Sequence, residues 1–490
     1  MAIQAQLVKQ LPQILNPKPL SLFFFSSSCS QNHQSVVVTT AVSILTNQRS
    51  KSRWGYLRSA CSDGINPDEF SEIALHLKNK PHLALSFFQW TKSESLCRHN
   101  LASYSTIIHL LARGRLKSHA SDAIRTALRA PDDDEHRCSD SPPLKLFETL
   151  VKTYRECDSA PFVFDLLIEA CLESKKSVSP SIEIVRMLLS RGISPKVSTL
   201  NSLISRVCKS RGVDAGYAIY REFFRLDEEK MEILKRGSGF RVIPNVHTYN
   251  ALMLCCYQDG LVEKVEEIWH EMGEMECDRN AYSYSVLMAA LCEHGRMEDA
   301  EKLWEEMREE KIEPDVVSYN TMIGGFCKVG EVGRGEEFFR EMGLSGIEGT
   351  ASTYEHLVRG YCNVRDVDSA VLVYKDMSRR DFRPDASTLD MLIVLLCDKG
   401  KVQEALEFLK HGVGKFDLHP LEKSYEALIK GLCFEGRMEE ALKLQADMVG
   451  KGFRPHSEIY GAFIDGYIRQ GNEEMAGALR KEMLQSQIQS

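Results

Sequence analysis

The sequence predicts an all-α fold, a right-handed α-solenoid of stacked helix-turn-helix repeats. Three observations predict it. Cys292, Cys327, Cys362, Cys397 and Cys433 are separated by 35, 35, 35 and 36 residues. Met272, Met307, Met342 and Met377 keep the same step of 35, and Met448 and Met483 return to it. Glycines (Gly260, Gly295, Gly330, Gly400, Gly436) and small residues (Ala300, Gly335, Ala370, Ala405, Ala441) run in the same register. A fixed period of roughly 20–50 residues marks repetition of one supersecondary unit. The chain of 490 residues is also too long for one core of ordinary size, which suits an extended array.

The array does not start at once. Residues 1–62 hold no Asp or Glu, six basic residues (Lys9, Lys18, Arg49, Lys51, Arg53, Arg58) and a Ser-rich stretch, SLFFFSSSCS, at 21–30. An acid-free, basic, Ser-rich N-terminus is the pattern of an organelle transit peptide, expected to be disordered and outside the fold. The arginines favour the mitochondrion, with the chloroplast as the alternative. The net charge of −8 becomes −14 without this segment, since 55 basic and 69 acidic residues remain. Such a balance excludes a general polyanion-binding surface but not a local site. The longest apolar runs, such as MLIVLLC at 391–397, are far below the ~18 residues a membrane span needs, so no membrane insertion is expected.

Residues 63–160 read as degenerate helical repeats. PHLALSFFQWTK at 81–92 and LASYSTIIHLLARG at 101–114 carry helical periodicity. APDDDEHRCSDSPP, at 130–143, holds His136 and Cys138 beside acidic residues, but reads as a solvated loop rather than a metal site.

Repeat units follow at 161–196, 197–245, 246–280, 281–315, 316–350, 351–385, 386–421, 422–456 and 457–490. The first lacks the glycine turn. The second is 49 residues long, with 14 extra residues mostly around EEKMEILKRGSGF at 228–240. In unit 316–350, Tyr319, Met322, Ile323, Phe326 and Cys327 form the apolar stripe of a first helix. Gly330 supplies the turn, because glycine tolerates a left-handed helix end. Phe338, Phe339 and Met342 mark the second helix. Prolines at 244, 314, 384, 420 and 455 stand in the linkers, where they stop one helix before the next begins. A helix pair this small must stack on its neighbours to bury its apolar face. Cysteines in successive units would then lie ~8–10 Å apart, too far for a disulfide, and serve as small buried residues.

PDVVSYNTMIGGFCKVG at 314–330 and SYEALIKGLCFEGRMEEALKLQADMVGKGFRP at 424–455 resemble pentatricopeptide repeats of the P class, of the plant organellar type. The Tyr-Asn pair, the mid-unit Cys-Lys-x-Gly, the Ala of the second helix and the late Met carry the resemblance. The rival tetratricopeptide unit has about 34 residues, an early Trp and a Leu-Gly pair, all missing at the matching positions here. The resemblance implies that each repeat addresses one base of a single-stranded RNA through two or three side chains. Carried over residue by residue, it assigns Asn201 with Asn245, Asn250 with Asn280, Ser285 with Asp315, and Asn320 with Thr350. It implies pyrimidine, pyrimidine, guanine and pyrimidine in that order. Asp165 with Lys196, Glu355 with Asp385, Asp390 with Leu421, and Glu426 with His456 depart from the pattern. Three successive carboxylates, Glu355, Asp390 and Glu426, would repel a phosphate backbone unless a base donor meets them. Asn280 and Asp315 also stand where Asn and Asp cap helices, a role compatible with base contact.

Across units 246–385 the first helices sum to a charge of −1 and the second helices to −10. The acid therefore belongs to the outer helices, and the inner face is neutral. No GxxxxGK[ST], HExxH or CxxC occurs. His456-Ser457-Glu458 has the spacing of a deaminase HxE without the cysteine pair downstream, and the last repeat runs to Ser490. The sequence thus points to a single-stranded RNA-binding adaptor of organellar transcripts, with no catalysis, cofactor, metal or small-molecule substrate. The alternative is an organellar protein-interaction scaffold, whose partners are other organellar proteins.

Overall fold

The computed structural model describes residues 31–47, 53–61, 64–129, 141–174, 177–224 and 242–488. These form 25 helices and no strand. The chain divides into two compact units, Met1–Cys255 and Cys256–Ser490.

The first unit holds α1 (Gln31–Asn47), α2 (Arg53–Ala60), α3 (Pro67–His76), α4 (Pro81–Ser93), α5 (Leu101–Arg113), α6 (Lys117–Ala127), α7 (Pro142–Thr153), α8 (Val163–Glu173), α9 (Ser179–Ser190), α10 (Val197–Arg211) and α11 (Val213–Phe224). The unit boundary falls inside α12 (Val246–Gln258). The second unit continues with α13 (Val262–Glu274), α14 (Ala281–Glu293), α15 (Met297–Glu309), α16 (Val316–Val329), α17 (Val332–Leu344), α18 (Ala351–Asn363), α19 (Val367–Arg379), α20 (Ala386–Asp398), α21 (Val402–Phe416), α22 (Glu422–Phe434), α23 (Met438–Gly450), α24 (Ser457–Arg469) and α25 (Glu473–Ile488).

One expectation is corrected here. Residues 31–47 and 53–61 do not stand outside the fold. Val38, Ala41 and Leu45 lie at i, i+3 and i+7 on α1 and are buried, as are Leu57 and Cys61. α1 packs on α2 and α3, and Trp54 meets Trp90 with ring centroids 5.2 Å apart. The lack of acid that suggests a leader does not prevent an apolar stripe from being buried. Residues 1–30 lie outside the described residues, as do 130–140 of the acidic stretch and the insertion at 228–240.

In the second unit the repeat is built from two layers. First helices pack on first helices in the series α14, α16, α18, α20, α22, α24. Each second helix from α15 to α23 packs on the first helix before it and the first helix after it. N-caps start several first helices: the side chains of Asn280, Asp315 and Asp385 accept the backbone N–H three residues on, at 3.0, 2.8 and 2.6 Å. Between the paired helices the backbone turns left-handed, with φ +72° at Gly295 and +89° at Gly330. Arg365 takes this role at φ +62°.

The periodic residues form the core. Met272, Met307, Met342, Met377 and Met448 are completely buried. Tyr284, Tyr319, Tyr425 and Tyr460 donate their hydroxyls to an acid 22 residues later, Glu306, Glu341, Asp447 and Glu482, at 3.1, 3.2, 2.6 and 3.3 Å. Part of the second-helix acid therefore satisfies buried tyrosines rather than facing water. The cysteine register comes from close helix approach. A Cβ at Gly325 would lie 2.6 Å from Cys292 Sγ, and one at Gly360 would lie 2.7 Å from Cys327 Cβ. No disulfide joins the described cysteines, and burial pushes the thiols of Cys292, Cys327 and Cys362 up to about 12.

The first unit has the same alternation, with α3 on α5, α5 on α7, and α8 on α10. Its core includes a buried histidine. His109 Nε2 lies 2.9 Å from the Leu150 carbonyl, so it carries the proton, and Nδ1 accepts from Ser159 Oγ at 2.6 Å. No described helix is long and apolar enough to cross a membrane.

Candidate nucleic-acid interface

The predicted pairs fall at the start of the first helices. The leading member sits one turn into a first helix, and the trailing member caps the next first helix. Three pairs are joined in the structure through a third group that the sequence reading overlooked, the Ser or Thr at the third helical position.

Asn201 and Asn245 meet directly, with Nδ2 donating to Asn245 Oδ1 at 3.3 Å. Thr248 Oγ1 donates to Asn201 Oδ1 at 2.8 Å and accepts from Asn245 N–H at 3.1 Å. Asn320 and Thr350 repeat the arrangement. Asn320 Nδ2 donates to Thr350 Oγ1 at 3.3 Å, and Thr353 Oγ1 donates to Asn320 Oδ1 at 2.6 Å. Thr353 Oγ1 also accepts from Thr350 N–H at 2.8 Å. Ser285 and Asp315 are linked through Ser318, whose Oγ lies 2.9 Å from each. Ser285 is buried, while Asp315 is exposed and its Oδ2 has no partner among the described residues. Asn250 is buried in α12, and Asn280 is the exposed cap of α14.

The linking hydroxyl recurs at Thr199, Thr248, Ser283, Ser318, Thr353, Thr388 and Ser424, all buried. Its own 35-residue period was available in the sequence. It was masked because Ser and Thr near a helix start also read as ordinary capping residues.

The other four pairs are satisfied internally. Asp165 is buried and accepts Lys196 N–H at 2.9 Å; burial raises its carboxyl above the usual range despite this bond. Glu355 accepts Asp385 N–H at 2.8 Å, and burial raises its carboxyl. Arg359 pairs with Asp385 and donates to Thr388 Oγ1 at 3.0 Å. Asp390 is buried and accepts from Ser424 Oγ at 2.6 Å. Glu426 and Glu458 share Lys430, and His456 Nε2 lies 3.4 Å from Glu426. Each of the three leading carboxylates Glu355, Asp390 and Glu426 thus has a donor within the fold. Glu426, His456 and Glu458 bring their ligand atoms within 4.8 Å of one another, but the Lys430 ammonium is bound to both carboxylates.

A groove of about 450 Å³ runs across the first helices of the second unit. Asn320 and Val317 line it, with Lys328, His356 and Arg359 from α16 and α18. Lys328 is paired with Glu293, so the groove is close to neutral. Burial, aided by Arg359, lowers the His356 pKa and favours its neutral form. Val317 is 48% exposed, an apolar surface on which a base can rest.

The PPR repeat family model matches residues 244–293, 279–328, 314–363 and 350–398. A PPR repeat model matches 423–453 and 458–488. A pentatricopeptide repeat-containing protein of Arabidopsis thaliana is 48% identical over 265 residues, 53% of this chain and 52% of that protein. Two mitochondrial pentatricopeptide repeat-containing proteins of Arabidopsis thaliana are 29% identical over 175 residues and 28% over 258 residues. They align with 36% and 52% of this chain, and with 32% and 43% of their own lengths. The chain therefore spans about half or less of the curated relatives it matches. Among solved structures, the pentatricopeptide repeat protein PPR10 in complex with an 18-nt psaJ RNA element aligns at 18% identity and a TM-score of 0.49. That alignment covers 93% of this chain and 66% of the other.

Proposed function

The chain belongs to the pentatricopeptide repeat family, and on that footing we propose that it is a P-class, sequence-selective binder of single-stranded RNA. It acts by occupying an organellar transcript, without a catalytic step of its own. Occupancy alone can block a nuclease or hold a structure open, so processing, stability, splicing and translation are all within its reach. The mitochondrion is the proposed compartment, supported by the composition of the first residues and by relatives that carry a mitochondrial name.

One observation carries the reading. Polar pairs recur once per repeat near the start of first helices, and three of them are held by a buried hydroxyl from the next repeat. Water-facing polar residues would not need such fixing. A pair held this way presents a defined hydrogen-bonding edge to an unpaired base. The base contacts assigned to Asn201, Asn245, Asn250, Asn280, Ser285, Asp315, Asn320 and Thr350 form part of the proposal. The pairs after Thr350 lead with the carboxylates Glu355, Asp390 and Glu426, each already engaged within the fold, so we place RNA contact at 197–350.

The test is an RNA-binding selection with the full chain. It should enrich a guanine flanked by pyrimidines. Asn320→Ala should weaken the matched RNA by roughly 3- to 10-fold, the range of one net hydrogen bond. A chain that enriches no sequence and is indifferent to Asn320→Ala would instead support the protein-scaffold reading.

A further inference from the structure

We propose that the buried hydroxyl at the third position of each following first helix fixes the base preference of the repeat before it, by locking the orientation in which the reading pair shows its donor or acceptor. This inference rests on the RNA-binding reading above and names specificity residues within it: Thr248, Ser318 and Thr353.

The argument is a count of valences. Thr353 Oγ1 accepts the Thr350 N–H at 2.8 Å. Its single proton goes to Asn320 Oδ1 at 2.6 Å. The amide oxygen of Asn320 is thereby turned inward. Its Nδ2 has two protons, and only one is used, on Thr350 Oγ1 at 3.3 Å. What remains for the groove is an N–H donor. The base in this register must then offer an acceptor.

The Asn201 register reaches the same polarity by the same route. Asn245 Oδ1 accepts Thr248 N–H at 3.1 Å, which fixes that oxygen in place. If the Asn201 amide were flipped, its oxygen would face the Asn245 oxygen without a proton between them. With Thr248 donating at 2.8 Å the amide keeps its nitrogen toward Asn245, and again an N–H is left over.

The Ser285 register comes out opposite. Ser318 Oγ gives its proton to Asp315 Oδ1 at 2.9 Å. Ser285 is buried, and its Oγ lies 2.9 Å from both Ser318 Oγ and the Ala281 carbonyl, so it has little left to offer. The exposed Asp315 Oδ2 remains, an acceptor only. The base in this register must bring N–H donors, as the Watson–Crick edge of guanine does.

The same third-position hydroxyl therefore supports opposite preferences, depending on the pair it completes. Valine can replace threonine there with nearly the same shape and no hydroxyl. It frees the Asn320 amide to rotate and present either its oxygen or its nitrogen.

The experiment is the same full-chain selection applied to wild type, Thr353→Val and Thr353→Ser. Thr353→Val should reduce the base preference of the Asn320 register to threefold or less while the guanine preference of the Ser285 register stays. Thr353→Ser should keep both. A purely structural role would lower the melting temperature and weaken all registers alike. If Thr353→Val does not fold, Thr248→Val tests the Asn201 register in the same way. Unchanged preference at the altered register overturns the inference while leaving the RNA-binding reading intact. If wild type itself enriches no sequence, the RNA-binding reading falls, and this inference falls with it.

Discussion

Replacing Gly360 by alanine tests whether close approach of first helices, rather than helix propensity, governs this array. Gly360 lies inside α18, where alanine is intrinsically better by about 1 kcal/mol. Propensity alone therefore predicts a more stable protein. The structure predicts the reverse. A Cβ on Gly360 would sit 2.7 Å from Cys327 Cβ, 2.8 Å from its Sγ and 3.2 Å from its Cα. The last of these is backbone of α16 and cannot rotate away. Ordinary carbon contacts are ~3.5–4.0 Å, so α16 and α18 must separate by several tenths of an ångström. Overpacking of this kind costs about 1–3 kcal/mol. The net expectation is a loss of up to about 2 kcal/mol. Gly461 in α24 is the matched control, since a Cβ there meets nothing within 4 Å. Gly461→Ala should gain up to about 1 kcal/mol. Urea unfolding followed by helical circular dichroism reads both as shifts of the midpoint in opposite directions. If both variants are stabilised by similar amounts, the packing argument is wrong.

Three further outcomes follow from the charge and burial pattern. Burial lowers the pKa of His109 and His99 to about 4, so the unfolded chain takes up the proton first. Their contribution is complete above about pH 6.5 and is lost as pH falls toward 4, by roughly 3 kcal/mol for His109 alone. The urea midpoint should drop steeply between pH 6.5 and 5, and a flat profile contradicts the buried neutral histidine. Lys328 and Arg359, the groove's cations, are already paired with Glu293 and Asp385. The slope of log affinity against log salt should be shallow, about −1.4 for two phosphate contacts, and a slope steeper than about −4 refutes a neutral groove. Deleting residues 1–62 removes Val38, Ala41, Leu45 and Leu57 from the core and should lower the melting temperature by several degrees relative to deleting 1–30. Equal melting temperatures would show that α1 and α2 contribute nothing to the fold.

The repeat was legible because one period carried several residue types with separate packing reasons. Cys292 and Cys327 are small because a glycine of the next first helix lies against each. Met307 and Met342 are buried between layers. Gly295 and Gly330 take left-handed backbone. The second turn was not legible as a repeated feature, because Glu276, Lys311 and Asp381 hold positive φ there in three units while Gly346 and Gly452 do so in two others. The burial of α1 and α2 was not legible, because composition reports on targeting while burial depends on the spacing of Val38, Ala41 and Leu45. At the candidate site, the pairs came from the resemblance to pentatricopeptide repeats, carried over by register. Their linking hydroxyls were not legible, since Ser318 and Thr353 matter through contact with the preceding repeat, a relation that sequence spacing does not display. The pairing of Glu355, Asp390 and Glu426 was invisible for the same reason: their donors, Asp385 N–H, Ser424 and Lys430, come from geometry rather than composition.

The central claim is that the pairs within 197–350 select bases. The most direct measurement is the enriched sequence from a random RNA pool bound to the full wild-type chain. The account predicts pyrimidine, pyrimidine, guanine and pyrimidine in consecutive register. Enrichment of no sequence, or of adenine or cytosine where Ser285 and Asp315 require a donor-rich guanine edge, would contradict it.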